Sequence, residues 1–372
     1  MHQIPQIEPW YDRKERQALS EYLKSGGWLT EFEKTKQLEK KIAAFSGSKY
    51  CLMTVNGTIS LVLALLSLDL KPGDEVLVPN LTMIATPNSA VLLGLKPVLV
   101  DIEADTLCLD LKAAEKAVSS KTRGMLYVPF NGRSGRMEEV VDFCRKHRIY
   151  LIEDAAQALG SRYQGKHLGT FGAIGSFSFS VPKIITMGQG GCLITDNIRL
   201  YRKMKYIKDF GRIKGGIDIH PVLGWNFKFT DLQAVIGLCQ MEKLEWRVSR
   251  KKEIYDRLRR GLASLPQVLM LSTDLSDTVP WFMDIYVSDP DKLALFLLSK
   301  NIATRRIYPA VSSQKIYKEK QGKYPVSEKF AKKGLWLPSS ARLSNKEIDY
   351  IVKQIRISNE MRNPGTKCRI LR

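Results

Sequence analysis

Between residues 50 and 153 the sequence alternates short β-branched apolar runs with stretches of helical periodicity, and this rhythm excludes most architectures. The spacing predicts strands over 50–55, 75–78, 97–102, 123–128 and 149–153, with helices over 58–68, 83–93, 111–118 and 136–147 between them. Strand, helix and strand in repeated succession build a largely parallel sheet covered on both faces. Open sheets of this kind bind ligands in the crevice outside the carboxyl ends of their strands. Chemistry is therefore sought on residues that follow strands.

The rest of the chain is organised around that sheet. An irregular N-terminal arm, 1–30, carries a short helix over 12–25, and another helix follows over 33–45. Beyond residue 154 the pattern changes to short strands, 173–180 and 191–195, on either side of a loop that carries Lys183. A long helix over 230–262 is expected next, with Leu232, Val235, Ile236, Cys239 and Leu244 at helical spacing in its first half. A second α/β unit then begins, with a strand over 281–287, a helix over 291–300, a strand over 304–308 and a closing helix over 346–357. The domain boundaries expected are an arm at 1–30, a large cofactor-binding domain at 31–264, a small C-terminal α/β domain at 265–358 and a basic tail at 359–372.

Lys and Arg number 58 against 38 Asp and Glu, a formal charge of +20 that raises the question of nucleic acid. The basic residues are dispersed, and clusters such as Arg199, Arg202, Lys203, Lys205, Lys208 and Arg247, Arg250, Lys251, Lys252 fall on predicted helices, where a solvated face is expected. No zinc finger, helix-turn-helix or aromatic-studded basic sheet accompanies them, so nucleic acid is not the expected partner. A general positive field suits an anionic substrate. Six cysteines (Cys51, Cys108, Cys144, Cys192, Cys239 and Cys368) lie among apolar neighbours without CxxC spacing, so reduced thiols and no metal site are expected. His2, His147, His167 and His220 show neither ligand spacing nor a triad partner. The longest apolar run, 61–68, is too short to cross a bilayer, and the N-terminus lacks a secretory pattern. A cytoplasmic location is expected.

Two residues carry the chemistry. Asp154 ends an apolar strand, and Lys183 stands on a turn between Ser176-Phe177-Ser178-Phe179-Ser180 and Gly188-Gln189-Gly190-Gly191, beside a buried sheet. Desolvation lowers the pKa of such a lysine and supplies the neutral amine that attacks an aldehyde to form a Schiff base. A strand-end carboxylate can hold a pyridine nitrogen protonated, which makes the ring an electron sink. Pyridoxal phosphate is the cofactor this pair suits. Taken singly, Asp154 reads better as the cap of a helix starting at Ala155, and Lys183 as a surface lysine. The turn Asn56-Gly57-Thr58, between an apolar strand and an apolar helix, is an anion site at a helix N-terminus, or simply a turn with a cap. Order along the chain gives these features weight: an anion turn, a strand-end aspartate, then Ser178 five residues before the loop lysine.

Read together, NGTISLVLALLSL, PGDEVLVPNLTMIAT, KPVLVDIEADT, IEDAAQALGSRYQGKHLGTFGAIGSFSFSVPKIITMGQGGCLITD and GWNFKFTDLQAVIGLCQMEKL resemble the DegT/DnrJ/EryC1/StrS family of sugar aminotransferases, over nearly the whole chain. The resemblance implies the aspartate-aminotransferase-like α/β fold, pyridoxal 5'-phosphate, and a homodimer with its sites near the subunit interface. It also implies amino transfer, usually from L-glutamate with 2-oxoglutarate as the by-product, to a keto group of a nucleotide-linked deoxysugar. A C4 keto group of a 6-deoxyhexose is favoured over C3. Matched residue by residue, Lys183 corresponds to the Schiff-base lysine and Asp154 to the partner of the pyridinium nitrogen. Gln157 corresponds to the residue near the phenolic oxygen. Gly57, Thr58 and Ser178 correspond to phosphate contacts, and Asn226 to a phosphate contact delivered by the neighbouring subunit. Met83 stands where the family commonly stacks an aromatic ring on the cofactor, Gln189 replaces the glutamate of GEGG, and Tyr308 falls where a histidine is common. Candidate contacts to the substrate diphosphate and sugar are Lys34, Arg305, Arg306 and Tyr308. A dehydratase of the same family is a rival reading, against which Lys183 argues because a histidine typically replaces that lysine there. A non-catalytic regulatory or nucleic-acid-binding protein on this fold is another, prompted by the charge.

Overall fold

The apolar runs become strands of one seven-stranded sheet in the computed structural model, which describes residues 3–362. In chain order they are β1 (Tyr50–Thr54), β2 (Glu75–Pro79), β3 (Lys96–Val100), β4 (Thr122–Tyr127) and β5 (Tyr150–Asp154). After a short hairpin of β6 (Arg162–Tyr163) and β7 (Lys166–His167) come β8 (Ile174–Ser178) and β9 (Gly191–Thr195). The spatial order is β1-β9-β8-β5-β4-β2-β3. Pairing is parallel from β3 through β2, β4 and β5 to β8, whereas β9 runs antiparallel to both β8 and β1. Two reversals cancel, so β1 points the same way as β8, and the carboxyl ends of β1, β8, β5 and β4 share one edge. That edge receives Asn56-Gly57, Ser178 and Asp154.

Both faces of the sheet are buried, as the alternation of side chains along its strands requires. Leu77, Met125 and Phe177 pack into one core, and Val76, Val78, Leu126 and Ile152 into another. Helices α1 (Arg13–Lys24), α2 (Glu33–Ser46), α3 (Gly57–Ser67), α4 (Ala85–Val91), α5 (Leu111–Ala117), α6 (Met137–His147) and α7 (Ile198–Lys208) accompany this sheet. The single helix expected over 230–262 is instead two, α8 (Asp231–Glu242) and α9 (Leu244–Leu262), with Lys243 at φ −98°, ψ −3° between them. The Lys243 amine is tied to Asp12 and Glu15 at 2.6 Å each, a tertiary anchor that periodicity does not report.

Part of the charge reading also changes. Lys208, Arg247 and Lys251 do not sit on solvated helix faces but are buried. Lys208 Nζ binds Glu31 at 2.8 Å and the Met53 carbonyl at 3.1 Å. Arg247 donates to the carbonyls of Ile184 and Trp10, and Lys251 to those of Trp281 and Ser339.

A three-stranded antiparallel sheet follows, β10 (Met283–Tyr286), β11 (Arg305–Arg306) and β12 (Gly334–Leu337) in the order β10-β12-β11. It packs with α10 (Pro290–Ser299), α11 (Pro325–Lys333) and α12 (Asn345–Arg362), and a separate apolar core lies around Ile254, Ile285, Leu335 and Ile351. The central strand β12 has four residues, too few for a periodic signal, and sequence reading passed over it. The strand expected over 304–308 keeps only Arg305 and Arg306. Helix α12 runs past 357 to Arg362, and the rest of the expected basic tail lies outside the described residues. The described cysteines are free and buried, and Cys368 lies outside. Among the described residues no helix is long and apolar enough to cross a membrane, and no His, Cys, Asp or Glu cluster could hold a metal ion.

Candidate active site

Asp154 is the last residue of β5 and is 5% exposed. Its Oδ2 accepts a hydrogen bond from Thr86 Oγ1 at 2.7 Å, and its Oδ1 one from the Ala156 N–H at 3.3 Å. Burial pushes its pKa up, while the Thr86 hydroxyl, the Lys183 amine and the Ala156 N–H pull it back in part. The segment after Asp154 forms turns, not a helix, so no helix begins at Ala155 for it to cap. Gln157, on the same turns, is buried, and its Oε1 accepts the Asn131 N–H at 2.8 Å.

Lys183 sits on a turn whose N–H reaches the Ser180 carbonyl at 3.0 Å. Its Nζ lies 3.9 Å from the centre of the Trp281 ring. Desolvation brings the amine's pKa down to about 8, with the Asp154 charge acting in the opposite sense. Trp281 is itself fixed, stacking on Phe282 at 3.9 Å and 19° and donating its indole N–H to the Pro182 carbonyl at 2.7 Å. The lysine loop and the approach to the small sheet are thus clipped together beside the amine.

Along the same edge stands the candidate anion cradle. Asn56 caps α3 by accepting the Ile59 N–H at 2.9 Å, which leaves the first-turn amides of Gly57 and Thr58 where an anion is favoured. A Cβ on Gly57 would lie 2.8 Å from Ser178 Cβ, so only glycine lets the turn approach the end of β8 this closely. Thr58 is exposed, and Ser178 Oγ is shared with Ser180, whose Oγ is 3.3 Å away. Met83 is 45% exposed, and its carbonyl receives the Thr86 N–H at 3.0 Å, so one turn presents Met83 and delivers Thr86 to Asp154.

The remaining candidates are dispersed. Tyr308 is raised in pKa by burial, with Arg305 lowering and Asp154 raising it, which places all three in one electrostatic neighbourhood. The Arg305 guanidinium lies over the Trp336 ring at 5.7 Å, and Tyr308 meets the same ring edge-on at 4.9 Å. Arg306, next along β11, is turned to the other side and used up there. Its guanidinium pairs with Asp291 at 2.7 Å and donates to the carbonyls of Ala331 and Lys332 at 3.2 and 2.6 Å. Adjacent residues of a strand face opposite ways, so the Arg305-Arg306 pair could not serve one site together. Lys34 stands in the first turn of α2, its N–H on Asp231 Oδ2 at 2.9 Å, and no contact joins it to Arg305. Asn226 is exposed in a loop bridged to Asp209, near the exposed apolar residues Ile219 and Leu223. Sequence reading missed Thr86, Trp281 and Asn131. Thr86 stands three residues after Met83 in LTMIAT and was open to notice; Trp281 and Asn131 touch the site only through the fold.

Pyridoxal phosphate fits this arrangement: a desolvated amine, a buried carboxylate on the neighbouring strand and a glycine-lined anion cradle lie on one edge of a mostly parallel sheet. Fold and site together define a pyridoxal-phosphate-dependent enzyme of the aspartate-aminotransferase-like fold. The chain belongs to the DegT/DnrJ/EryC1/StrS aminotransferase family, whose profile matches residues 9–356. It is 35% identical over 358 residues to the GDP-perosamine synthase of Escherichia coli O157:H7, covering 95% of this chain and 98% of that protein. It is 30% identical over 376 residues to the GDP-perosamine synthase of Caulobacter vibrioides, covering 95% and 98%. Among solved structures, Spr1654 of Streptococcus pneumoniae, a sugar aminotransferase by name, superposes in its PLP form with a TM-score of 0.91 at 26% identity, over 97% of this chain and 99% of that one. The aminotransferase from Psychrobacter cryohalolentis superposes with a TM-score of 0.89 at 26% identity, over 94% and 98%. The protein is a pyridoxal-phosphate-dependent sugar aminotransferase.

Proposed function

We propose that the enzyme transfers the amino group of L-glutamate to the C4 keto group of a nucleotide-linked 6-deoxyhexose and releases 2-oxoglutarate. The observation that carries this reading is the Lys183 amine held 3.9 Å from the Trp281 ring, within electrostatic reach of buried Asp154 at the carboxyl edge of the sheet. Likeness to enzymes named GDP-perosamine synthase supports a nucleotide-diphosphate sugar, with a GDP-linked one first on the panel.

Bound pyridoxal phosphate supplies an electron sink conjugated to the reacting carbon and carries the amino group between the two substrates. Lys183 would be the covalent anchor for the cofactor, and its neutral amine would be the base and acid that moves the proton from the donor's Cα. A pKa near operating pH suits both halves of that transfer. Asp154 would hold the proton on the ring nitrogen, Gln157 would serve the phenolic oxygen, and the Met83 thioether would pack on the ring. Gly57, Thr58 and Ser178 hold the phosphate, and Asn226 of a second copy completes that contact. Arg305 and Tyr308 are the sugar-side candidates, with Lys34 towards the diphosphate; Arg306 supports the small sheet instead. The enzyme works as a cytoplasmic homodimer with a large domain at 31–264 and a small one at 265–358.

The experiment is incubation of purified protein with glutamate and a panel of nucleotide-linked keto sugars, with products identified by mass. An aminated sugar and 2-oxoglutarate are expected. A product that has lost a hydroxyl without gaining nitrogen would make the enzyme a dehydratase, and salt-sensitive DNA binding without cofactor absorbance would favour a non-catalytic protein.

A further inference from the structure

Beyond the edge of the sheet a buried polar network joins the two sheets, and its geometry is organised around one asparagine. Asn131 follows β4, is 1% exposed and adopts the left-handed backbone conformation, with φ 56° and ψ 30°. Its backbone N–H donates to Gln157 Oε1 at 2.8 Å. Its side chain forms a two-pronged clamp on Phe282: Nδ2 donates to the Phe282 carbonyl at 2.8 Å, and Oδ1 accepts the Phe282 N–H at 2.6 Å. The same Nδ2 also donates to Asp284 Oδ1 at 2.8 Å, and Asp284 is held in turn by Arg133 Nη2 at 2.6 and 2.8 Å.

A buried ion pair is weak evidence for stability, because desolvating both charges consumes much of the attraction. What such a pair does supply is geometry: Arg133, with Nε on Thr273 Oγ1 at 3.1 Å, sets Nη2 between both Asp284 oxygens, and that carboxylate in turn orients the Asn131 amide. The clamped residue, Phe282, stacks on Trp281, the ring against which the Lys183 amine rests. One residue thus reaches both sides of the site.

We propose that Asn131, held by the Asp284–Arg133 pair, is a positioning residue for the Lys183 site. Its backbone sets the Gln157 amide, and its side chain sets Phe282 and through it the Trp281 ring that desolvates the amine. The proposal rests on Lys183 and Gln157 serving the cofactor as described above. Its role is exerted through other side chains, since Asn131 itself reaches no reacting atom.

Asn131→Gly is the test, because glycine tolerates the left-handed backbone and keeps the N–H to Gln157 while removing both side-chain prongs. In cofactor-free protein, the rate at which an amine-reactive reagent labels Lys183 is followed against pH by mass spectrometry of the peptide. The groups bearing on that titration are the burial of the amine and Asp154. The wild-type midpoint is expected at about 8, and the variant's should move upwards towards the free lysine value of 10.5 as the ring loosens and water enters. With cofactor bound, the glutamate half-reaction should slow by about 10- to 100-fold while half-saturation by glutamate changes by less than about 3-fold. If Asn131→Gly does not fold, Arg133→Lys carries the test; it keeps a charge beside Asp284 but not the planar group that reaches Thr273 and Asp284 together, and should move both readouts the same way by less. A folded variant with a lower Tm but an unchanged labelling midpoint and half-reaction rate would overturn the proposal. Wild-type protein that captures no cofactor on Lys183 would defeat the functional reading instead, and the labelling comparison would still decide this one.

Discussion

Removing one hydroxyl, in Thr86→Val, separates a catalytic Asp154 from a merely buried one. Thr86 is fully buried and its only proton goes to Asp154 Oδ2 at 2.7 Å, so the Thr82 hydroxyl, 2.9 Å away, must donate to Thr86 in turn. The result is a polarised chain of two donors ending on the carboxylate. Valine fills the same space without the proton, leaving Asp154 the longer Ala156 contact at 3.3 Å. A hydrogen bond to a charged group contributes about 1.5–3 kcal/mol, which favours the ionised form, the one a role on the ring nitrogen requires. Expressed as rate, Thr86→Val should slow the glutamate half-reaction by about 10- to 150-fold. Losing a donor disfavours the carboxylate and raises its pKa, so the acid limb of the pH profile should also move to higher pH. Stopped-flow absorbance of the cofactor, single turnover with glutamate across pH, measures both. Thr86→Ser restores the donor and should recover most of the rate; Asp154→Asn sets the lower bound, since a neutral amide cannot stabilise the protonated ring nitrogen. A Thr86→Val enzyme within about 3-fold of wild type, its acid limb unmoved, would refute the chain of reasoning.

Three further outcomes are expected. Purified protein should be yellow, and Lys183→Ala should lose both the visible band and turnover; full activity in that variant would end the aminotransferase reading. Asp231 accepts bonds from the N–H groups of Phe32, Lys34 and Thr35, the Thr35 hydroxyl and the Tyr22 hydroxyl, and so caps α2 from another helix. Asp231→Ala should therefore lower stability by about 2–4 kcal/mol in urea unfolding. Burial alone would raise the Asp231 pKa, but the bonds from Thr35, Lys34 and Phe32 outweigh it and hold it below 3.8. The wild-type advantage over Asp231→Ala is accordingly present above pH 3.8 and lost as pH falls through the lowered value, so an advantage that grew on acidification would contradict the assignment. If Asn226 serves the partner's site, isolated mixed dimers of Lys183→Ala and Asn226→Asp chains should regain activity that neither homodimer has, because one site then carries neither lesion. Mixed dimers as inactive as both parents would sink the shared site.

The sequence by itself determined the parallel sheet and the family. Runs such as those at β2 and β4 are apolar at successive positions, a pattern that only a strand buried on both faces satisfies. The order of NGT, Asp154, Ser178 and Lys183 placed the anion turn and the carboxylate after strands and the amine on the loop beyond one; that β1 reaches the same edge through the antiparallel β9 was decided by the tertiary structure. Tertiary structure decided what is not periodic along the chain. Whether Asp154 capped a helix depended on the turns after it, and whether Arg305 and Arg306 acted together depended on the face each takes in β11. The residue at the break, Lys243, is anchored by Asp12 and Glu15, which lie over 220 residues earlier in the chain. The depressed Lys183 amine is the clearest case. Sequence placed that lysine beside a sheet, but desolvation is a property of what surrounds the amine in space, and it is Trp281, nearly a hundred residues on and held by Asn131 through Phe282, that lies against it.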